Sequence, residues 1–131
     1  MSVAPAEWTK KTIVVVDDEF DIAEAVQSLL QAEGYQVLVY PDGRTALEGL
    51  ATYPGQVSLV LADVMMPRMD GVKLLESLRR ERAFGGVPMV IMSALRPKGR
   101  PDAPPPWNAF LQKPFSFGTL LRTVQKQIGA P

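Results

Sequence analysis

The stretch that decides the fold is VVVDDEFD, residues 14–21. Consecutive β-branched residues without polar alternation predict a strand buried on both faces, as in a parallel sheet. That strand runs directly into Asp17, Asp18 and Glu19. Adjacent carboxylates make one another's ionisation harder. A positive partner is therefore expected where the strand ends, and the rest of the chain is read for it.

The same unit recurs along the chain. Strands are predicted over 12–17, 35–40, 57–63, 87–93 and 109–115, the last a short one. Between them, helices are predicted over 21–34, 42–55 and 72–83, with a final one over 116–128. The first places Ile22, Val26, Leu29 and Leu30 on one face and stops at Gly34, a C-cap residue. Asp42 is the expected N-cap of the second, which should end at Pro54-Gly55. The third puts Val72, Leu75 and Leu78 on one side and Arg79, Arg80 and Arg82 on a solvated face. Ser116 caps the last helix, whose apolar residues are Leu120, Leu121, Val124 and Ile128. Strands alternating with helices imply right-handed crossovers and a parallel sheet with helices on both faces.

Composition narrows the class. A chain of 131 residues favours one domain. Lys plus Arg and Asp plus Glu both number 14, so charge points to neither nucleic acid nor an anionic membrane. With no cysteine and no histidine, disulfides, thiolate metal sites and the commonest general base are excluded. No apolar run reaches the roughly 20 residues of a membrane helix, and a reducing cytoplasm is the expected compartment.

The polar residues fall at strand ends. Asp17 and Asp18 end the first strand, Asp63 the third, Ser93 the fourth and Lys113 the fifth. In an open parallel sheet these ends share one edge, where ligand sites form. Three aspartates make an oxygen-rich trap for a hard cation, best Mg²⁺. A lysine and a hydroxyl beside that metal suit a phosphoryl group.

With VVVDDE, LVLADVMMPRMDG, VIMSA and FLQKPF in this order, the sequence resembles the receiver domain of two-component response regulators from about residue 12 to 128. The resemblance implies a flavodoxin-like doubly wound sheet of five parallel strands, order 2-1-3-4-5. A leader (1–11) precedes the receiver domain (12–128), and a short tail (129–131) follows it. It implies that Asp63 is the phosphoacceptor, charged by a histidine kinase or phosphotransfer protein. Mg²⁺ would be bound directly by Asp18 and Asp63, by Asp17 through water, and by the backbone carbonyl of Met65. Lys113 and Ser93 would contact the phosphoryl group. Ala94 would leave room beside it, and Phe110 would be the aromatic switch. The Lys113-Pro114 bond is usually cis in this family. The module would be a signalling switch and not an enzyme, acting on a downstream target protein and dimerising on activation. The chain would be a stand-alone receiver or a piece of a longer regulator, without direct DNA binding.

Two other classes share parts of the pattern. A haloacid-dehalogenase-type phosphatase also uses an aspartate nucleophile with Mg²⁺, but needs a second aspartate two residues on, where this chain has Met65. A flavodoxin-type flavin module needs a Ser/Thr/Gly-rich phosphate loop after the first strand, and DDEFD would repel the phosphate instead. A receiver that signals without phosphorylation is the remaining alternative.

One stretch breaks the rhythm. ALRPKGRPDAPPPWNA, residues 94–109, holds five prolines where the family has a fourth helix. Proline inside a helix costs roughly 3 kcal/mol, so an irregular or extended loop is expected instead. Trp107 is expected to pack and pin this loop, and activation to reorder it.

Overall fold

The computed structural model describes residues 11–52, 56–66, 69–98 and 101–131. The leader with Trp8, the Pro54-Gly55 helix stop, and Gly99 and Arg100 of the Pro-rich stretch lie outside the described residues. Among the described residues five strands form one sheet: β1 (Thr12–Val16), β2 (Gln36–Tyr40), β3 (Leu59–Asp63), β4 (Met89–Ser93) and β5 (Ala109–Gln112). All neighbours are parallel, in the order β2-β1-β3-β4-β5. This is the expected flavodoxin-like sheet. Among the described residues four helices accompany it: α1 (Phe20–Glu33), α2 (Gly43–Leu50), α3 (Gly71–Arg79) and α4 (Phe117–Ile128). Among the described residues no helix is long and apolar enough to cross a membrane.

Side-chain alternation along the strands divides the core. Ile13, Val15, Leu59, Leu61, Val90 and Met92 face α1 and α4, whose Val26, Leu30, Leu120 and Val124 complete that layer. Val14, Val16, Val60, Ala62, Met89 and Ile91 face α2 and α3 across the sheet. Every residue of β1, β3 and β4 is buried, which is why these strands read as continuous apolar runs. The predicted caps form. Asp42 accepts the Thr45 N–H at 2.8 Å and Ser116 the Thr119 N–H at 3.1 Å. Gly34 takes the left-handed conformation at φ 114°.

Several boundaries differ from the sequence reading. Helix α2 ends at Leu50, because Thr52 turns back and hydrogen-bonds the Gly49 carbonyl through both its N–H and its hydroxyl. Helix α3 ends at Arg79, and a 3-10 turn at Arg82–Phe84 drops Phe84 into the core. Burial of that ring outweighs continuation of the helix. On α1, Ala23 takes the buried place expected for Leu29, which lies at the edge of the face, 39% exposed. On α3, Leu74 is buried and Val72 only half so.

No helix occupies the described part of 94–108. Trp107 is half-buried against the α2/α3 layer and covers part of the sheet a helix would cover. Phe110 on β5 packs on the same layer and stays partly exposed, since no helix lies over it.

Arg79 corrects the expected solvated basic face. Its guanidinium is turned inward and donates to the carbonyls of Pro106 (3.0 Å), Gly85 (3.0 Å) and Val87 (2.8 Å), and to Asn108 Oδ1 (2.7 Å). Asn108 Oδ1 also accepts the Met89 N–H at 2.8 Å. One side chain thus ties α3, the turn after it, the end of the Pro-rich loop and the start of β4. Burial lowers its pKa from the ordinary arginine value, but a guanidinium stays charged. Its donors are spent on carbonyls of the turn after α3 and of the returning loop. Hydrogen bonds to a charged group contribute about 1.5–3 kcal/mol each and are not additive. Arg79→Ala is expected to destabilise the fold by about 3 kcal/mol in chemical denaturation, and exposed Arg80→Ala by less than about 0.5 kcal/mol. Equal losses would show that the guanidinium contacts carry no weight.

Candidate functional site

The carboxyl ends of β1, β3 and β4 and the residue after β5 meet at one edge. Asp17 and Asp18 follow β1, Asp63 closes β3, Ser93 closes β4 and Lys113 follows β5. Registration of Ser93 with Gln112, and the Lys113 N–H bond to the Ser93 carbonyl at 2.9 Å, fix the lysine's place. The Lys113-Pro114 peptide is cis, as the sequence reading expected.

Asp17, Asp18 and Asp63 each offer a carboxylate oxygen, all within 4.8 Å of one another. Asp17 and Asp63 are buried and Asp18 is exposed. Lys113 Nζ lies 3.0 Å from Asp17 Oδ2 and 3.5 Å from Asp63 Oδ1. One positive partner of the acidic strand end is therefore a lysine from the far end of the chain, beside the acid trio read as a cation trap. Asp17 also accepts the Glu19 N–H at 2.9 Å, so its carboxylate is held from two sides.

Glu19 is a site residue the sequence reading passed over. Its Oε1 lies 3.0 Å from Lys113 Nζ, and it occupies the N-cap position of α1. The signal was present in the DDE run, but nothing in the sequence shows which of three adjacent acids turns toward a lysine 94 residues away. Gly71 closes the LVLADVMMPRMDG motif. Its N–H bonds the Val64 carbonyl, and a Cβ there would overlap the Asp63 carbonyl. The glycine lets α3 start hard against the strand end that carries Asp63.

The electrostatics set two groups apart. Asp63 is pushed up to about 6 from 3.8, chiefly by burial and then by the charge of Asp17. Lys113, a hydrogen bond from the Met65 N–H and the exposed Asp18 shape the remainder, the first two opposing the rise. For Lys113, burial favours the neutral form, but the hydrogen bonds to Asp17 and Glu19 and the charges of Asp17 and Asp63 outweigh it and raise its pKa.

The remaining expected residues lie around this centre. Ser93 is buried, and its Oγ accepts the Leu95 N–H at 3.3 Å. Ala94 is exposed at the rim beside Lys113. Met65 follows Asp63 closely, with its side chain 77% exposed. Phe110, in register with Ile91, lies one layer below the lysine and carries the Arg96 guanidinium over its ring at 4.6 Å. Next to Lys113, an apolar hollow of about 500 Å³ opens between α1 and the start of α4, lined by Ile22, Leu29, Phe115 and Phe117.

A doubly wound parallel sheet with an acid trio and a lysine at its carboxyl edge defines a phosphorelay-type receiver module. Comparison with known proteins agrees. The family model described as the response regulator receiver domain matches residues 13–125, and the chain belongs to that family. Protein PilG of Pseudomonas aeruginosa is 30% identical over 122 residues, covering 88% of this chain and 86% of that protein. The probable transcriptional regulator ycf27 of Galdieria sulphuraria is 36% identical over 86 residues, 66% of this chain. The matched part spans only 32% of that regulator's length, and 35% of the Cyanophora paradoxa protein of the same name. Among solved structures, the chemotaxis response regulator CheY4 of Vibrio cholerae superposes with a TM-score of 0.77 at 27% identity, covering 89% of this chain and 98% of that one.

The shift of Asp63 has a pH signature. Its carboxyl titrates near 3.8 when unfolded and near 6 when folded. Between those values the folded state binds more protons, so its stability falls as pH rises from about 4 to 6. Asp63→Asn escapes that fall. In metal-free buffer the variant should gain about 2–3 kcal/mol on wild type between pH 4 and 7. A difference that stays flat with pH in denaturation curves would contradict the buried, charge-crowded setting of this carboxylate.

Proposed function

We propose that this chain is a phosphorylation-dependent signalling switch in which Asp63 accepts a phosphoryl group from a phosphohistidine of a histidine kinase or phosphotransfer protein. The observation that carries this reading is the convergence of Asp17, Asp18 and Asp63 within 4.8 Å, with Lys113 in contact with two of them. A carboxylate oxygen of Asp63 attacks phosphorus, the phosphorus–nitrogen bond breaks, and the histidine leaves with the electron pair, giving an acyl phosphate.

The donor set suits Mg²⁺: carboxylates and carbonyls, with no sulfur or imidazole. Asp18 and Asp63 would hold the ion directly, with the Met65 carbonyl. Asp17, already engaged by Lys113 and the Glu19 N–H, would act through water. When bound, the ion offsets negative charge on the phosphoryl oxygens. The protein's own groups do the rest. Asp63 accepts the Met65 N–H while Gly71 leaves room for its backbone, and Lys113 supplies a cation already aimed at the cleft. The Ser93 hydroxyl can donate a hydrogen bond to the phosphoryl group, and Ala94 leaves the approach open. A shift of Ser93 would be felt at Phe110 through the β4–β5 register and at Arg96 stacked on its ring. Met65 stands where a phosphatase needs an acid, which supports a phosphoacceptor and not an enzyme that turns over. The exposed Phe20 and Leu29 offer the donor protein an apolar footing near the cleft. A downstream target protein, or a second activated copy, would read the altered surface.

Intact-mass measurement after incubation with acetyl phosphate or a phosphorylated kinase should show one added phosphoryl group. The gain should vanish with EDTA and in Asp63→Asn. Failure with both donors would reject the proposal. Millimolar Mg²⁺ should also raise the melting temperature by mass action, and Asp18→Ala should abolish that rise; a wild type indifferent to Mg²⁺ would remove the metal from the reading.

A further inference from the structure

The Pro-rich stretch does more than omit a helix. Residues 101–105 are all exposed, while Pro106 and Trp107 are half-buried. The segment therefore stands out from the surface and returns to it at a fixed point. That point is held by Arg79 on the Pro106 carbonyl and on Asn108, and by Trp107 on the core. Proline fixes its own φ near −65° and pushes the residue before it toward extended backbone. Ala103, Pro104 and Pro105 each precede a proline, so this run is stiff whatever surrounds it. None of the three prolines carries an N–H, so none can donate a backbone hydrogen bond to a ladder or a helix.

The run is open on both flanks. On one side lies a hollow of about 240 Å³, walled by Val72, Lys73, Glu76 and Trp107. On the other lies a hollow of about 430 Å³, walled by Glu76, Arg79 and Arg80. Pro104, Pro105 and Pro106 line both. The prolines thus form a ridge with space for flat side chains on either side. A stiff, extended, donor-free proline ridge is the shape that aromatic-lined grooves recognise.

We propose that Pro104–Pro106, which follows the turn at Pro101–Asp102, is a docking ridge for a partner protein that presents an aromatic-lined groove, with Arg79 as the pin that preorganises it. The proposal is independent of phosphoryl transfer, and its test needs no modification of Asp63. Pinning lowers the ordering cost of binding, so the folded chain should bind such a groove better than the same residues as a free peptide.

The probe is an isotope-labelled WW domain, a small aromatic groove for proline runs, titrated and followed by NMR. The full chain, a peptide of residues 100–108 and the Pro104→Ser/Pro105→Ser variant are compared. Those two positions are exposed, so an unchanged melting curve and an unchanged response to Mg²⁺ verify that the variant is folded. The expected result is saturable binding by the full chain, weakened about tenfold or more in the proline variant and in the peptide. Arg79→Lys should fall between the wild type and the peptide. No binding by the full chain overturns the proposal, whether the peptide binds (a masked ridge) or does not (no recognisable proline ligand). Equal affinity of chain and peptide overturns the preorganising role of Arg79.

Discussion

The carboxyl edge of the sheet depends on how Lys113 shares its charge. Asp17 and Glu19 hold the ammonium at hydrogen-bond distance, and Asp63 lies half an ångström further away. Burial makes the charges of Lys113, Asp17 and Asp63 costly alone, while Glu19 joins them from the exposed rim. Together they form a network in which the buried Asp17 is well compensated and Asp63 is not. The raised pKa of Asp63 records that imbalance, with desolvation as its main cause. A carboxylate left short of compensation at the cleft is poised for a new cation or a new substituent, whereas a fully satisfied one would be only structural. The same lysine links the residue after the first strand to the residue after the last, so the site also ties together distant parts of the chain at the sheet's carboxyl edge.

The second constraint is the crossover between β4 and β5. A parallel sheet needs a connection there, and helices usually supply it because they satisfy their own backbone. Five prolines remove that option. The chain solves the problem with Arg79, whose donors serve carbonyls from the turn after α3 and from the end of the loop. Trp107 supplies apolar cover in place of a helix face. The result is a surface on which Phe110 stays partly open beneath Arg96, so the β5 edge is less insulated than the opposite side of the sheet.

Much of this was legible in the residues. The valine runs marked β1, β3 and β4, because a strand buried on both faces leaves no polar alternation. The absence of a helix from the described part of 94–108 followed from proline's missing N–H, and Asp42, Ser116 and Gly34 announced the helix ends they cap. Boundaries were less legible. Leu29 and Val72 are apolar and correctly spaced, but which residue of a face is buried depends on where the sheet lies beneath it. The early ends of α2 and α3 came from Thr52 and Phe84, whose local or tertiary bonds outweighed helix continuation.

The sequence by itself determined the element order, the parallel sheet and the set of acids, hydroxyl and lysine at its strand ends, since periodicity and strand-end chemistry are local. Only the tertiary structure decided that Glu19 joins Lys113, that Gly71 must lack a side chain to admit Asp63, and that Arg79 turns inward while Arg80 remains exposed. These are matters of distance between segments far apart in the chain. A charged residue in a basic run carries no mark of whether carbonyls will converge on it. That convergence exists only once the sheet, the turn after α3 and the returning loop are packed in place.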